Sequence, residues 1–216
     1  MLQSYEILNN HPVNEARKAR GENPANSIWI WGQGKRPSIT PFYDKFGLKG
    51  SVISAVDLVK GIGICAGMRS IDVEGATGNI HTDYNAKARA ALEALDEDDF
   101  VYVHIEAPDE CGHRFEIENK VKSIEYIDEK VIKPIYEELT KRNTEFSMLI
   151  LPDHPTPLSL GTHVHDPVPY ILYRTGDNNN NQPYSEKNAQ NGRLVNEGYT
   201  LMSYLIGGET CLKTSM

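Results

Sequence analysis

Asp109 and His113 are the first residues in the sequence whose types and spacing suit a metal ion. They lie four residues apart, shortly after the apolar stretch at residues 100–105. One turn of helix or a tight loop can direct a carboxylate and an imidazole at that spacing toward one ion. A helix N-terminus with an acidic cap and an incidental histidine would have the same sequence. The spacing alone therefore suggests a ligand pair without establishing one.

A second candidate pair, Asp153 and His154, follows the apolar residues 149–151 and lies between Pro152 and Pro155. Prolines restrict the backbone on both sides, which suits a ligand pair that is held in place before the ion binds. A polar turn is an equally good interpretation, since aspartate and proline are common in turns.

A third segment, residues 161–169, contains His163, His165 and Asp166. In an extended chain the two histidines would face the same way, because side chains alternate with a period of two. We expect one of them not to be a ligand. The alternative is a surface loop that happens to contain histidine.

Taken together, the three segments offer two carboxylates and up to four imidazoles, and no cysteine is among them. Mixed Asp/His ligands suit Mn²⁺, Zn²⁺ or Fe²⁺ better than Ca²⁺, which prefers oxygen ligands. The set exceeds what one tetrahedral ion needs, so it predicts a two-metal site. Such sites mainly serve phosphoryl transfer and hydrolysis.

Lys60 is a further candidate, because it directly precedes the Gly-x-Gly turn at residues 61–63. A lysine there can add positive charge near a phosphate, and glycine allows the backbone to approach closely. A solvated helix lysine is the simpler interpretation of the same pattern.

Alternating strands and helices must position these residues. Short apolar runs predict strands at residues 27–31, 50–54, 100–105, 146–151 and 168–173. Helical patterns cover residues 56–63, 83–95, 117–142 and 196–206, and Pro134 should bend the long helix or remove one hydrogen bond. Residues 177–183 read as a polar loop. This order predicts an α/β fold with a mainly parallel sheet flanked by helices, in which ligands lie past the carboxyl ends of strands.

Composition restricts the partners and the compartment. The chain has 216 residues and a net charge of −8, so it should be repelled by phosphate backbones, and a nucleic-acid partner is disfavoured. No apolar run approaches the ~20 residues that cross a bilayer, and residues 1–6 do not resemble a secretory signal. The three cysteines form no C-x-x-C pair, which fits a reducing cytoplasm. We therefore expect a cytoplasmic protein with no nucleic-acid or membrane partner.

Several specific strings resemble the archaeal-type 2,3-bisphosphoglycerate-independent phosphoglycerate mutases of the alkaline phosphatase superfamily. The likeness runs from about residue 11 to residue 173. Its strings lie at residues 11–14, 24–34, 47–63, 75–78, 103–113, 151–157 and 163–169. The resemblance implies an alkaline phosphatase-like core and interconversion of 3-phosphoglycerate and 2-phosphoglycerate through a phosphoserine intermediate. It also implies two divalent metal ions, Mn²⁺ in the first place and Zn²⁺, Co²⁺ or Mg²⁺ otherwise, and no 2,3-bisphosphoglycerate.

The resemblance also implies a role for individual residues. It assigns one metal to Asp109, His113 and His163, and the other metal to Asp153 and His154. It prefers His163 to His165, because the family ligand lies four residues before the first proline of the Pro-Val-Pro string at residues 167–169. The family usually has threonine where this chain has Val164. Lys60 matches the lysine expected to hold the phosphoserine phosphate.

The resemblance also suggests an incomplete core. In the family an N-terminal segment carries the nucleophilic serine and a further metal-binding aspartate, and an inserted domain follows; no matching motif precedes residue 11. We therefore expect a C-terminal portion without mutase activity of its own. Residues 1–20 would be a connector from the inserted domain and residues 21–216 part of the catalytic domain. Arg17 and Arg20 are candidates for substrate contacts, although a solvated basic helix explains them equally well.

Two alternatives remain at this point. One is a metal-dependent phosphatase or phosphohydrolase of the same superfamily, which would share the Asp/His ligands. The strings at residues 31–34 and 55–61 favour the mutase over it. The other is a non-catalytic domain that binds a metal or a partner, which metal titration of ligand variants would distinguish.

Overall fold

The computed structural model describes residues 1–30, 32–177 and 182–207. The chain divides into two compact units, Met1–Ser38 and Ile39–Met216. The division of the chain at residue 20 that the sequence suggests stays a prediction. Cys211 and most of the polar loop, residues 178–181, lie outside the described residues.

The first unit contains two short helices, α1 (Leu2–Leu8) and α2 (Pro12–Ala19). His11 caps α2 by accepting a hydrogen bond from the Val13 amide, and proline occupies the first helical position. Asn14, which is 3% exposed, donates to the carbonyls of Leu8 and Ala25 and accepts from the Ala25 amide. The segment expected to be a connector is therefore helical, and one buried amide side chain organises it.

The strand predicted at residues 27–31 is wrong for its described part. Residues 27–30 have no strand assignment, and Trp31 lies outside the described residues. Ile28, Trp29 and Ile30 are all more than half exposed. Apolar residues favour a strand only where a neighbouring strand pairs with the backbone, and here the Ile28 amide instead donates to the Ser4 hydroxyl.

The second unit is built on a parallel sheet in the order β2–β1–β3. Its strands are β1 (Gly50–Ile53), β2 (Arg69–Ile71) and β3 (Phe100–Val103), with Val52 opposite Tyr102 and Ser70. The helices α3 (Phe42–Phe46), α4 (Asp57–Cys65) and α5 (Tyr84–Ala94) precede or connect these strands. A Cβ on Gly63 would lie 2.5 Å from a Val52 methyl, so α4 packs on β1 where only glycine fits.

Four helical segments follow the sheet without a strand between them. They are α6 (Ala107–His113), α7 (Ile117–Ile127), a π-helical turn (Asp128–Ile132) and α8 (Lys133–Lys141). The π-helical turn ends two residues before Pro134, whose missing N–H interrupts the regular hydrogen-bond pattern as the sequence predicts. In the helix predicted over residues 117–142, Val131 and Leu139 are buried. The α7 residues Ile117, Val121 and Ile124 are about half exposed or more.

The last two strands, β4 (Ser147–Ile150) and β5 (Ile171–Arg174), form a separate antiparallel pair. The sheet of β1 to β3 confirms the parallel α/β arrangement. The β4–β5 pair departs from it, because the chain returns between these strands without the crossover helix that parallel pairing requires. Short helices close the described chain: α9 (Glu186–Ala189), a 3₁₀ turn (Gly198–Thr200) and α10 (Leu201–Leu205). Across residues 1–30, 32–177 and 182–207, no helix is both long and apolar enough to cross a membrane.

The core beside the sheet joins α5 to the helices that follow β3. Tyr84, Ala88, Ala107 and Val131 form a buried cluster, against which Val103 and neighbouring apolar residues pack. Asp83 caps α5 by accepting a hydrogen bond from the Ala86 amide. Since Ala107 is the first residue of α6, this core fixes the start of the helix that carries Asp109 and His113.

Candidate metal centre

Helix α6 places Asp109 and His113 on one face, one turn apart. The distance between Asp109 Oδ2 and His113 Nε2 is 3.3 Å. The helix starts four residues after β3 ends, so both side chains lie past the carboxyl end of a parallel strand. The predicted one-turn spacing is thus the observed geometry.

His163 joins this pair from the loop between β4 and β5. Its Nε2 lies 3.3 Å from Asp109 Oδ1 and 3.1 Å from His113 Nε2. Two atoms bound to one tetrahedral zinc-like ion at ~2.0–2.1 Å would lie about 3.3 Å apart, so each of the observed separations has the size expected between ligands of one ion. The two histidines face different oxygens of the Asp109 carboxylate. Asp109, His113 and His163 also form one of two sets of side chains close enough to hold a metal within the described part of the chain.

Hydrogen bonding orients the His113 imidazole for this role. His113 Nδ1 lies 2.9 Å from the Gly161 carbonyl oxygen, and donation from Nδ1–H leaves the Nε2 lone pair facing Asp109 and His163. Gly161 has φ +64°, and the Phe115 ring packs so closely on it that an added Cβ would lie 2.4 Å from a ring carbon. Glycine is therefore required here by both conformation and space.

Asp153 and His154 lie beside this cluster, in the loop that follows β4. Asp153 Oδ2 is 3.6 Å from His154 Nε2, and the ring centroids of His154 and His163 are 3.8 Å apart. The Asp153–His154 pair is therefore adjacent to the first three residues, as a two-metal arrangement needs. His165 is exposed and is absent from the close donor sets found among the described residues.

Thr156 connects the two groups of candidate ligands. Its hydroxyl donates to Asp109 Oδ1, and its Oγ1 lies 3.4 Å from His154 Nδ1. Because the hydroxyl proton is directed at the carboxylate, the His154 contact requires Nδ1 to be the donor. That leaves His154 Nε2 as the acceptor that faces Asp153. Thr156 is 4% exposed, and nothing in the sequence pattern singled it out.

Lys60 lies on α4 and forms an ion pair with the carboxylate of Asp72, at 2.6 Å. The Asp72 side chain is 87% exposed, so an incoming anion could displace it at small cost. In the first unit, the Arg17 and Arg20 side chains both contact Glu22, and the hydrogen bonds from Arg20 lower the pKa of the Glu22 carboxyl. The roles suggested for these three cations stay predictions.

Two acidic residues beside Asp109 did not emerge as candidates from the sequence. Glu106 and Glu110 bring carboxylate oxygens within 4.8 Å of one another and of Asp109. Burial raises the pKa of Glu106, and the negative charges of Glu110 and Asp109 raise it further. Glu110 is also bound by Arg114 at 2.6 Å. The sequence contained this acidic group, but an acidic helix start accounted for it equally well.

Lys87, His104 and Ser54 form a buried polar group under the segment that joins β3 to α6. Lys87 Nζ donates to the His104 carbonyl at 3.2 Å, and Ser54 Oγ lies 3.2 Å from His104 Nδ1. Burial lowers the pKa of the fully buried Lys87 to about 8 and also lowers the pKa of His104. The helical spacing of Tyr84, Lys87, Ala91 and Ala94 could have indicated that Lys87 faces the core.

A parallel α/β fold with clustered Asp and His side chains past its strand ends defines a metal-dependent enzyme class. Residues 7–207 match the Metalloenzyme superfamily, and the chain belongs to this family. A 2,3-bisphosphoglycerate-independent phosphoglycerate mutase of Methanosarcina mazei is 49% identical over 206 residues, covering 94% of this chain and 51% of that protein. A probable enzyme of the same description from Geobacter sulfurreducens is 49% identical over 209 residues, covering 95% and 52%.

Two solved structures are also similar to this chain. A Pyrococcus horikoshii protein matches with a TM-score of 0.72 at 33% identity, covering 86% of this chain and 49% of that one. A cofactor-independent phosphoglycerate mutase from Thermoplasma acidophilum matches with a TM-score of 0.59 at 26% identity, covering 94% and 48%. These matches confirm the resemblance and the alkaline phosphatase-like fold. The chain spans about half the length of the relatives it matches.

Proposed function

We propose that this chain is the metal-binding part of a cofactor-independent phosphoglycerate mutase, which interconverts 3-phosphoglycerate and 2-phosphoglycerate in glycolysis. The observation that carries the proposal is the close approach of the Asp109, His113 and His163 side chains. It occurs in a chain with 49% sequence identity to a protein of that description. A cytoplasmic location belongs to the same proposal, since the substrates are small soluble phosphates.

In this proposal Asp109, His113 and His163 hold one divalent ion, and Asp153 and His154 contribute to a second. Membership of the superfamily and the geometry of the donor atoms support binding of a divalent metal. Mixed carboxylate and imidazole donors favour Mn²⁺ over Ca²⁺, with Zn²⁺, Co²⁺ and Mg²⁺ as further candidates. When bound, such ions stabilise the negative charge of a transferring phosphoryl group.

The side chains of this part of the molecule have separate tasks. Gly161 and Thr156 hold the imidazoles of His113 and His154 with Nε2 directed at the site. Lys60 binds the phosphate after it exchanges Asp72 for the incoming anion, a change that is easy because the Asp72 carboxylate is mostly solvated. The nucleophilic serine of the reaction comes from a segment that this sequence does not match.

The test is a complementation assay. The 216-residue chain alone should not convert 3-phosphoglycerate to 2-phosphoglycerate when Mn²⁺ is supplied. Joined to the part of the Methanosarcina mazei relative that it does not span, it should do so, and Asp109→Ala should abolish the conversion. Release of inorganic phosphate without 2-phosphoglycerate would instead indicate a phosphohydrolase, and conversion by the isolated chain would contradict our division of the enzyme.

A further inference from the structure

Two segments far apart in the chain carry the candidate ligands, and contacts between the segments must fix their relative position. Helix α6 carries Asp109 and His113, while the loop between β4 and β5 carries Asp153, His154 and His163. A centre that binds one ion across two segments needs their relative position fixed to within a fraction of an ångström.

The Lys120 side chain joins these two segments directly. It extends from α7, and its ammonium donates to the Pro108 carbonyl at 2.9 Å and to the Thr156 carbonyl at 3.0 Å. Pro108 directly precedes Asp109, and Thr156 follows His154 by two residues. One ammonium group thus bonds to the backbone next to a candidate ligand in both segments.

The packing around this ammonium is close. A Cβ on Gly112 of α6 would lie 2.7 Å from the Thr156 carbonyl oxygen and 2.9 Å from Lys120 Nζ. Helix α6 therefore passes over the bond between Lys120 and Thr156 with no room for a larger residue. Burial lowers the pKa of Lys120, and the nearby Asp109 carboxylate opposes that effect.

The position of the Thr156 backbone decides where its side chain acts. The Thr156 hydroxyl donates to Asp109 and contacts His154 Nδ1, so a shift of this residue would move one ligand from each segment. Thr156 lies in a loop without regular backbone pairing, and its carbonyl needs a donor. Lys120 supplies that donor.

We propose that Lys120 is a positioning residue that sets the distance between the two ligand-bearing segments and thereby the affinity of the centre for metal. The inference rests on the metal centre proposed above. It also opposes the simple electrostatic expectation. A cation close to a metal site repels the metal, so removal of Lys120 should strengthen binding if charge were its main effect. If positioning dominates, removal should weaken binding.

Metal titration of the 216-residue chain tests the proposal. Lys120→Met keeps most of the apolar stem and removes the ammonium, and Lys122→Met changes an exposed lysine on the same helix. We expect Lys120→Met to weaken Mn²⁺ and Co²⁺ binding by roughly tenfold or more, as loss of an outer-shell partner typically does. The visible spectrum of bound Co²⁺ should change as well, because the ligand geometry changes. Lys122→Met should match the wild type in both measurements.

Lys120→Gln covers the case in which Lys120→Met does not fold, because its shorter amide keeps a donor but cannot reach both carbonyls. Wild-type affinity and an unchanged Co²⁺ spectrum in the folded variant would overturn the inference, and so would tighter binding. Asp109→Ala distinguishes this from failure of the proposed centre. If Asp109→Ala binds metal as well as the wild type, the centre itself is wrong; if only the lysine variants bind normally, only the role of Lys120 is wrong.

Discussion

The two halves of the candidate centre differ in how completely the described chain builds them. In the set of Asp109, His113 and His163, the two imidazole Nε2 atoms lie 3.1 Å apart, and each lies 3.3 Å from a different carboxylate oxygen of Asp109. The pair of Asp153 and His154 has two donors that lie 3.6 Å apart in neighbouring residues. A helix turn fixes most of the first set, whereas a loop between prolines holds the pair. The first set should therefore bind metal by itself, and the pair should contribute less.

The most direct test of whether the set of Asp109, His113 and His163 binds metal is to replace Asp109, whose two oxygens face His113 and His163. Asp109→Ala should weaken Mn²⁺ binding by roughly a hundredfold or more, since it removes a ligand rather than an outer-shell partner. Isothermal titration calorimetry measures the effect. Glu118→Ala, at an exposed carboxylate in the first turn of α7, is the control and should leave the affinity unchanged. Equal affinities for the two variants would show that the first set is not the metal site.

Lys87, which is buried and bonds to the His104 carbonyl shortly before α6, provides a pH-dependent test. Because burial lowers the pKa of Lys87 from 10.5 to about 8, the unfolded chain binds more protons than the folded chain between these pH values. Stability due to this group therefore rises as pH increases from about 8 to 10.5. Lys87→Met should be more stable than the wild type at pH 7, by up to roughly 2–3 kcal/mol, and the difference should shrink toward pH 10.5.

Urea unfolding at a series of pH values measures this difference. Lys133→Met, at an exposed lysine of α8, should show no comparable pH dependence relative to the wild type. A constant difference between wild type and Lys87→Met across this range would mean that folding does not lower the pKa of Lys87.

The contact between the two halves is tested at Gly112. In Gly112→Ala the new methyl group would meet the Thr156 carbonyl at 2.7 Å, and we expect a destabilisation of about 2 kcal/mol from overpacking. Gly61→Ala is a matched control, because Gly61 lies in α4 with nothing within 4 Å of its added Cβ. That control should stabilise the helix by about 0.5–1 kcal/mol. If urea unfolding ranked the two variants in the opposite order, α6 would not lie against the loop.

The smallest expected effect is at Asp153, in the pair of Asp153 and His154. Asp153→Ala should weaken Mn²⁺ binding by roughly tenfold or less, because the set of three donors remains intact and Asp153 is exposed. Asp166→Ala, an exposed aspartate in the same loop, is the control and should bind as the wild type does. An effect of Asp153→Ala larger than that of Asp109→Ala would reverse the order of the two halves.

Much of this arrangement could be predicted from local sequence. The four-residue spacing of Asp109 and His113 indicated a shared helix face, and the apolar runs at residues 50–54 and 100–105 indicated β1 and β3. The strand predicted at residues 27–31 was wrong for residues 27–30, because an apolar run cannot specify whether a partner strand is present. The antiparallel pairing of β4 and β5 was missed for a similar reason, since pairing direction depends on the path of the chain between strands.

The sequence by itself determined the residue types of the candidate site, the helical spacing of Asp109 and His113, and the position of two of the three candidate segments after apolar runs. The family resemblance already favoured His163 over His165. The tertiary structure alone decided how closely the candidate ligands approach one another, and that Thr156 and Lys120 bond to both ligand-bearing segments. The reason is physical. Helix periodicity is a local property that nearby residues encode. The contacts of His113 with Gly161 and of Asp109 with Thr156 join residues 48 and 47 positions apart, and they form only when the folded chain brings the β4–β5 loop against α6.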